Sequence, residues 1–200
     1  MPENNEGPPG IDWSQYFVIP QQELHLADFD NKGEWILDLG GGGEGIIGMM
    51  KGRDVIAIDK QKRELEETSN DSLKIVMDMK ALNFLDGIFS TVTAFFTFMY
   101  IPEDAFDEIF KEIWRIMKPG GQLLVWEPIF KIPPEEREKK NAVIPLTIHL
   151  PDGRTNQTGY GGRVRDQDES TVITPAEKIG FKVVDKKIEE FTYHLRLQKP

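Results

Sequence analysis

Short apolar runs alternate with polar and glycine-rich segments through the middle of the chain. Their length and their content of branched and aromatic side chains are typical of buried strands. Between the last two runs, apolar residues recur every three or four positions over 104–117, which predicts a helix with one buried face. Strands that alternate with helices indicate an α/β domain built on a parallel sheet. The predicted strands are 35–39, 55–58, 73–77, 88–96 and 122–126.

The C-terminal part predicts one helix followed by two strands. Thr174 and Glu177 form a capping box with Pro175 at the first helical position, so the pattern predicts that a helix begins there. The segment 181–188 is predicted to be a strand, and in 191–198 apolar residues alternate with polar ones, which predicts a second strand. We expect these two segments to pair as a final antiparallel hairpin.

Two segments lie outside this regular pattern. Residues 1–10 are acidic and rich in proline and glycine, which predicts a disordered tail. Residues 128–173 form a long excursion in which strands 143–150 and 154–160 are expected to pair as a hairpin. Long excursions of this kind often carry substrate sites. We therefore expect one domain over 11–200, with 128–173 as an insert or cap beside the substrate site.

A glycine turn joins the first two predicted strands. Four consecutive glycines, Gly40 to Gly43, are followed by Glu44 and Gly45, then by a short apolar helix and a strand that ends on Asp59. Glycines let backbone N–H groups approach a ligand closely. An acidic residue at the tip of the second strand can accept hydrogen bonds from the hydroxyls of a ribose. This arrangement predicts a cofactor that contains a nucleoside.

Charge distinguishes between the candidate cofactors. Asp38 lies two residues before the first glycine and Glu44 lies within the turn, so a pyrophosphate bound there would meet carboxylates at close range. S-adenosylmethionine has no phosphate and carries an ammonium and a sulfonium group, which suit an acidic turn. The alternative that stays open is purely structural, in which Asp38 accepts hydrogen bonds from loop amides and Glu44 caps the next helix.

Several motifs together resemble the class I S-adenosylmethionine-dependent methyltransferases. The segment DLGGGGEG is similar to their first motif, Asp59 to their ribose-binding acid and Asp78 to the acid beside the adenine amine. The segment RIMKPGGQLLVWEP resembles the stretch that leads into their fifth strand. These motifs cover 34–128 in the family's order. The sequence departs from the family pattern at the third glycine position, which Glu44 occupies.

The resemblance implies a fold and a set of cofactor-binding residues. The implied fold is a Rossmann-like α/β domain with a seven-stranded mixed sheet, mostly parallel with a C-terminal antiparallel hairpin, and helices on both faces. In this family the segment before the first strand often folds over the site, so Trp13, Tyr16 and Phe17 form either an aromatic lid or a helix packed on the domain. The residues predicted to bind S-adenosylmethionine are Asp38, Gly40, Gly41, Gly42, Asp59, Lys60, Asp78, Met79 and Phe95.

The catalytic candidates come from the excursion. Methyl transfer from a sulfonium is an in-line displacement that needs positioning more than a covalent residue or a metal. If the acceptor is an alcohol or a phenol, a general base helps, and His149 is the first candidate, with Tyr160 as another. No spacing of the three histidines suits a metal site.

The composition of the chain restricts the classes of partner and the cellular compartment that can be expected. A net charge of −10 argues against a nucleic-acid partner, and no apolar stretch is long enough to span a membrane. The absence of cysteine fits a reducing cytoplasm. The sequence therefore predicts a cytoplasmic methyltransferase that acts on a small molecule. A non-catalytic module that binds the same cofactor, and an NAD-dependent oxidoreductase, are the alternatives.

Overall fold

The computed structural model describes residues 12–200, and the predicted disordered tail, 1–10, lies outside this range. Eleven strands and four α-helices form the described part of the chain. In chain order they are β1 (Tyr16–Val18), β2 (Gln22–His25), β3 (Ile36–Leu39), α1 (Ile46–Lys51), β4 (Val55–Asp59), α2 (Lys62–Glu67), β5 (Leu73–Val76), β6 (Phe89–Phe95), α3 (Phe106–Ile116), β7 (Met117–Pro128), β8 (Asn141–His149), β9 (Thr155–Gly162), α4 (Ser170–Ile179), β10 (Lys182–Ile188) and β11 (Thr192–Gln198).

A seven-stranded sheet forms the centre of the molecule, in the order β10-β11-β7-β6-β3-β4-β5. The strands from β3 to β7 pair in parallel, whereas β11 runs antiparallel to both of its neighbours. This confirms the predicted fold class. The strand order reverses at β3 and β6, and ligands of open α/β sheets bind where such a reversal occurs.

Helix α3 covers one face of this sheet. Its buried residues are Phe106, Ile109, Phe110, Ile113 and Ile116, which repeat at the predicted three- and four-residue spacing. They pack with apolar residues of β6, β7 and α4 in one core cluster. The acidic residues of its first turn and Arg115 in its last turn complement the helix dipole.

A second sheet covers part of the opposite face. Strand β8 pairs in parallel with β1 and β2, one after the other, and in antiparallel register with β9. The predicted hairpin in the excursion is therefore present. The prediction of an N-terminal helix is wrong, because the helix-compatible segment before residue 27 forms β2, which pairs with β8. Pairing with a strand more than 100 residues away outweighs the weak local propensity of that segment.

The second sheet belongs to the same core as the first. Side chains along β8 alternate between partly buried and buried over most of the strand. Ala142, Ile144, Leu146 and Ile148 are fully buried. They pack in one cluster with large-sheet residues such as Trp126. The predicted insert, 128–173, is therefore packed against the rest of the domain through β8.

Helix α4 begins earlier than the capping box predicts. It runs from Ser170, with Pro175 inside it. The Asp168 side chain accepts hydrogen bonds from the Ser170 N–H (2.9 Å) and from the Ser170 hydroxyl (2.5 Å). The Asp168 carboxylate thus satisfies the N–H of the first helical residue, four residues before the predicted start at Thr174. In the described chain, 12–200, no helix has the length and apolar character that crossing a membrane would require.

Leu146→Ala tests whether the second sheet is part of the cooperative fold. Because Leu146 is fully buried between the sheets, we expect the free energy of unfolding to fall by about 2–5 kcal/mol in a single transition. Leu85→Ala is the matched control, since Leu85 is 78% exposed and its truncation should change stability by less than about 0.5 kcal/mol. Chemical denaturation gives both values. A small effect for Leu146→Ala, or a separate low-stability transition, would show that the second sheet folds independently.

Candidate functional site

A cavity of about 710 Å³ opens at the carboxyl ends of the central strands. The glycine turn after β3, the tip of β4, the segment after β5 and the end of β6 line it from the large sheet. Gly159 and Tyr160 of β9 line it from the second sheet. The two sheets thus enclose the cavity at the position where α/β sheets bind ligands.

The glycines of the turn have two different roles: some allow its left-handed backbone conformation, and others leave space for neighbouring side chains. Gly40, Gly43 and Gly45 have positive φ angles of 69°, 59° and 59°, a backbone region that other residues rarely adopt. Gly41 and Gly42 are needed for space instead. A Cβ on Gly41 would lie 2.5 Å from Asp38 Oδ2. Glu44 itself does not have a positive φ, and the two left-handed glycines, Gly43 and Gly45, lie on either side of it.

Asp38 lies beneath the turn as a buried carboxyl group. Its Oδ1 accepts a hydrogen bond from the Thr93 hydroxyl (2.7 Å), and no donor within residues 12–200 reaches Oδ2. Burial raises the pKa of the Asp38 carboxyl to about 7, although the Thr93 hydroxyl opposes the shift. The predicted structural alternative, in which loop amides bind this carboxylate, is not observed. A buried carboxylate with a free oxygen at a cavity is a site for a cationic group.

Two further acids lie at neighbouring strand ends. Asp59 is partly buried, which raises the pKa of its carboxyl, and its Oδ1 accepts the Gln61 N–H at 2.8 Å. Asp78 is exposed and accepts the Lys80 N–H at 2.9 Å. All nine residues predicted to bind the cofactor line this cavity, and their contact with a cofactor stays a prediction. These are Asp38, Gly40, Gly41, Gly42, Asp59, Lys60, Asp78, Met79 and Phe95.

Charge is distributed unevenly between the interior and the rim of the cavity. Four of its carboxylates are buried or partly buried, those of Asp38, Glu44, Asp59 and Glu64. Its cationic residues are exposed at the rim. They are Lys60, Lys80 and Arg163. The interior therefore favours cations over anions.

A buried glutamate fixes the loop that follows β6. Glu127 at the end of β7 accepts backbone N–H groups from Thr97 (2.6 Å), Phe98 (2.5 Å) and Met99 (3.0 Å). Gln167 donates to the same carboxylate at 3.1 Å. Burial raises the pKa of Glu127 to about 8, whereas the four donors favour the charged form. Glu127 therefore holds the cavity wall in place and is not free to act as a base.

Aromatic rings form the wall between the two sheets. The Tyr160 ring stacks on Phe96, with centroids 5.0 Å apart, and meets Phe95 edge-on at 6.1 Å. Phe96 has a positive φ of 49°, an uncommon conformation for an aromatic residue. Burial, together with the nearby charge of Glu44, raises the pKa of Tyr160 well above its usual range. Tyr160 thus lines the cavity as a neutral phenol, which suits a hydrogen-bond donor better than the predicted base.

Several other candidates lie elsewhere. His149 does not line the cavity, and its ring stacks on His25 (4.2 Å) while Nε2 contacts Glu23 at 2.5 Å. This position argues against the predicted role of His149 as a base. Trp13, Tyr16 and Phe17, the predicted aromatic lid, also lie outside the cavity lining, because β1 runs along β8.

Sequence reasoning missed part of the lining. Glu64 of α2 is not among the predicted site residues, yet it lines the cavity and its backbone carbonyl accepts the Gly43 N–H at 2.9 Å. Phe96 looked like an ordinary buried strand residue, and its positive φ has no signal in the sequence. Thr97 follows it and donates its hydroxyl to Leu39 O at 2.8 Å, which ties the wall to β3.

Comparison with known proteins finds similarity to methyltransferases. Residues 37–125 match the methyltransferase domain family. A sterol 4-C-methyltransferase of Caenorhabditis elegans is 30% identical over 125 residues, which make up 62% of this chain. The chain spans about a third (34%) of the length of that relative.

Solved structures agree on the fold. An S-adenosylmethionine-dependent methyltransferase from Methanosarcina mazei superposes with a TM-score of 0.60 at 18% identity, covering 83% of this chain and 92% of its own. The cyclase SpnF superposes with a TM-score of 0.58 at 15% identity, covering 84% of this chain and 76% of its own. At such identities the likeness shows the fold alone.

Asp38→Asn tests the burial of this carboxyl group through the pH dependence of stability. Asp38 titrates near 7 in the folded chain and near 3.8 when unfolded, so the folded state binds more protons between these values and its stability falls as pH rises through them. Asparagine removes this loss. At pH 8 the variant should unfold with a free energy higher by on the order of 2–4 kcal/mol.

The difference between variant and parent should shrink toward pH 4.5, as measured by denaturation at each pH. Asp71→Asn, at an exposed position, is the control and should show no such trend. A difference for Asp38→Asn that does not change with pH would mean that Asp38 is ionised normally.

Proposed function

We propose that the chain is a class I S-adenosylmethionine-dependent methyltransferase, which transfers a methyl group from S-adenosylmethionine to a small-molecule acceptor. The observation that carries this proposal is the buried Asp38 carboxyl beneath a glycine turn, with one oxygen unpaired among the described residues. A cationic amino-acid group at that position would pair with the carboxylate and lower its pKa.

The cavity residues fit this cofactor. The close approach of Gly41 and Gly42 to Asp38 and Glu64 leaves no room for a Cβ, so the turn presents bare backbone to the ligand. Asp59 would hold the ribose hydroxyls, and Asp78 with Met79 would flank the adenine. In this proposal Asp38 holds the ammonium group of the methionine part.

The protein's contribution to the reaction is positioning and exclusion of water. S-adenosylmethionine, when bound, supplies an activated methyl group on a sulfonium. Glu127 keeps the segment 97–99 in place, so that the wall of the cavity is preorganised. The stacked Phe96 and Tyr160 rings shield the space above the turn from solvent.

The acceptor is proposed only as a small molecule. The similar protein from Caenorhabditis elegans is a sterol methyltransferase by name, but this chain spans about a third (34%) of it. An NAD-dependent oxidoreductase is disfavoured, because a diphosphate against the turn would face Asp38 and Glu44. The non-catalytic module differs only in lacking turnover.

Calorimetry and a turnover assay test the proposal together. We expect the full chain to bind both S-adenosylmethionine and S-adenosylhomocysteine, and to release S-adenosylhomocysteine in the presence of a suitable acceptor. Failure to bind either compound at millimolar concentration would refute the proposed function. Binding without product, across a broad panel of acceptors, would instead support a non-catalytic module.

Asp59→Ala tests the predicted ribose contact. Loss of a carboxylate that accepts hydrogen bonds from a ligand costs about 1.5–3 kcal/mol, so the affinity for S-adenosylhomocysteine should fall by roughly 10- to 100-fold. Asp71→Ala, an exposed aspartate outside the cavity lining, is the matched control and should bind normally. Isothermal titration measures both. Equal affinity for Asp59→Ala and the parent chain would remove Asp59 from the cofactor site.

A further inference from the structure

We propose that the methyl acceptor is an amine and that Glu44 binds it and accepts its proton. The proposal rests on the proposed function, since it needs S-adenosylmethionine as the methyl donor. It assigns a role to the one residue of the glycine turn that departs from the family pattern, and Glu44 is not among the nine residues predicted to bind the cofactor.

The first observation is the direction of the Glu44 side chain. Glu44 lies between two left-handed glycines, Gly43 and Gly45, and its Oε1 accepts a hydrogen bond from the Thr158 hydroxyl of β9. The carboxylate therefore extends from the turn toward the second sheet. It lies beside the Tyr160 hydroxyl, whose pKa it helps to raise. The hydroxyls of Thr158 and Tyr160 are its hydrogen-bonding neighbours, and the lone pairs that remain on its two oxygens can accept a further donor.

The second observation is the aromatic surface next to this carboxylate. Phe95, Phe96, Tyr100 and Tyr160 all line the same cavity. The negative faces of aromatic rings attract ammonium groups, and this attraction strengthens when water is excluded. A carboxylate beside several rings is the arrangement expected for a cationic amine.

The third observation is the distribution of charge. The cationic residues of the cavity are exposed at its rim, whereas Glu44 and Glu64 are partly buried. An acidic acceptor would lose hydration inside without gaining a cation. An ammonium group would exchange its hydration for Glu44 and the rings. The interior therefore selects amines over carboxylates.

The chemical step balances without another reagent. The bound ammonium gives one proton to Glu44, which leaves a neutral amine with a free electron pair. That pair attacks the methyl carbon while the carbon–sulfur bond breaks, and its electrons stay on sulfur. The products are the methylated ammonium ion, the neutral thioether S-adenosylhomocysteine and a protonated Glu44, which returns its proton to solvent. Neither a metal nor an oxidant takes part.

Acceptors matched in size test the class of substrate. We would incubate the full chain with S-adenosylmethionine and either benzylamine, phenethylamine, phenol or benzoate, and measure S-adenosylhomocysteine and methylated product by mass spectrometry. We expect turnover with at least one amine and none with phenol or benzoate. Turnover confined to phenol or benzoate would overturn the amine proposal and leave the methyltransferase intact. Bound S-adenosylmethionine with no amine turnover would overturn it as well.

Glu44→Gln tests the role of the carboxylate. We expect kcat/KM for the amine to fall by about 100-fold or more, with a higher KM and a lower kcat, because both attraction and proton transfer are lost. The affinity for S-adenosylhomocysteine should stay within about threefold, which also shows that the variant is folded. Glu44→Asp keeps the charge and should restore part of the activity.

Glu66→Gln is the matched control, because Glu66 is an exposed glutamate of α2 that pairs with Lys62 and lies outside the cavity lining. It should turn over the amine like the parent chain. If Glu44→Gln keeps full amine turnover, Glu44 is not the proton acceptor. If Glu44→Gln instead loses S-adenosylhomocysteine binding, Glu44 belongs to the cofactor site and the proposal is wrong.

Discussion

The burial of one carboxyl group, that of Asp38, is the constraint on which the site depends. An ionised carboxylate without a partner is costly inside a protein, and this one has a single hydroxyl donor among the described residues. The fold accepts this cost because β3 and its neighbours are held by apolar packing on both faces of the sheet. A cation that binds next to Asp38 would remove this cost, because it would pair with the carboxylate. In this view stability is given up in the free protein and recovered in the complex.

The second sheet gives the cavity its upper wall. Strand β8 is anchored by its own buried face, and β9 brings Thr158 and Tyr160 over the turn. Glu127 and Gln167 hold the loop after β6 from the other side. These contacts join segments that are far apart in sequence, so the cavity forms only when both sheets are packed. Preorganisation of this kind is what a positioning enzyme requires.

The sequence was most informative where local pattern and global fold agree. The central strands, α3 and the C-terminal hairpin follow from apolar periodicity, and the nine predicted cofactor residues lie around one cavity because they follow strand ends. The N-terminal strands were missed because their pairing with β8 is non-local. The position of His149 could not be predicted for the same reason, because the surroundings of its side chain depend on the pairing of β8 with β2. Glu44 was visible as a departure, but only the structure shows its contact with Thr158.

The number of protons released when S-adenosylmethionine binds tests the central claim most directly. Calorimetry at pH 6.5 in two buffers with different ionisation enthalpies measures this number. Because burial holds the pKa of Asp38 near 7, binding of a cation should release a substantial fraction of a proton, and Asp38→Asn should abolish the release. Binding without proton release, or the same release in Asp38→Asn, would contradict the account.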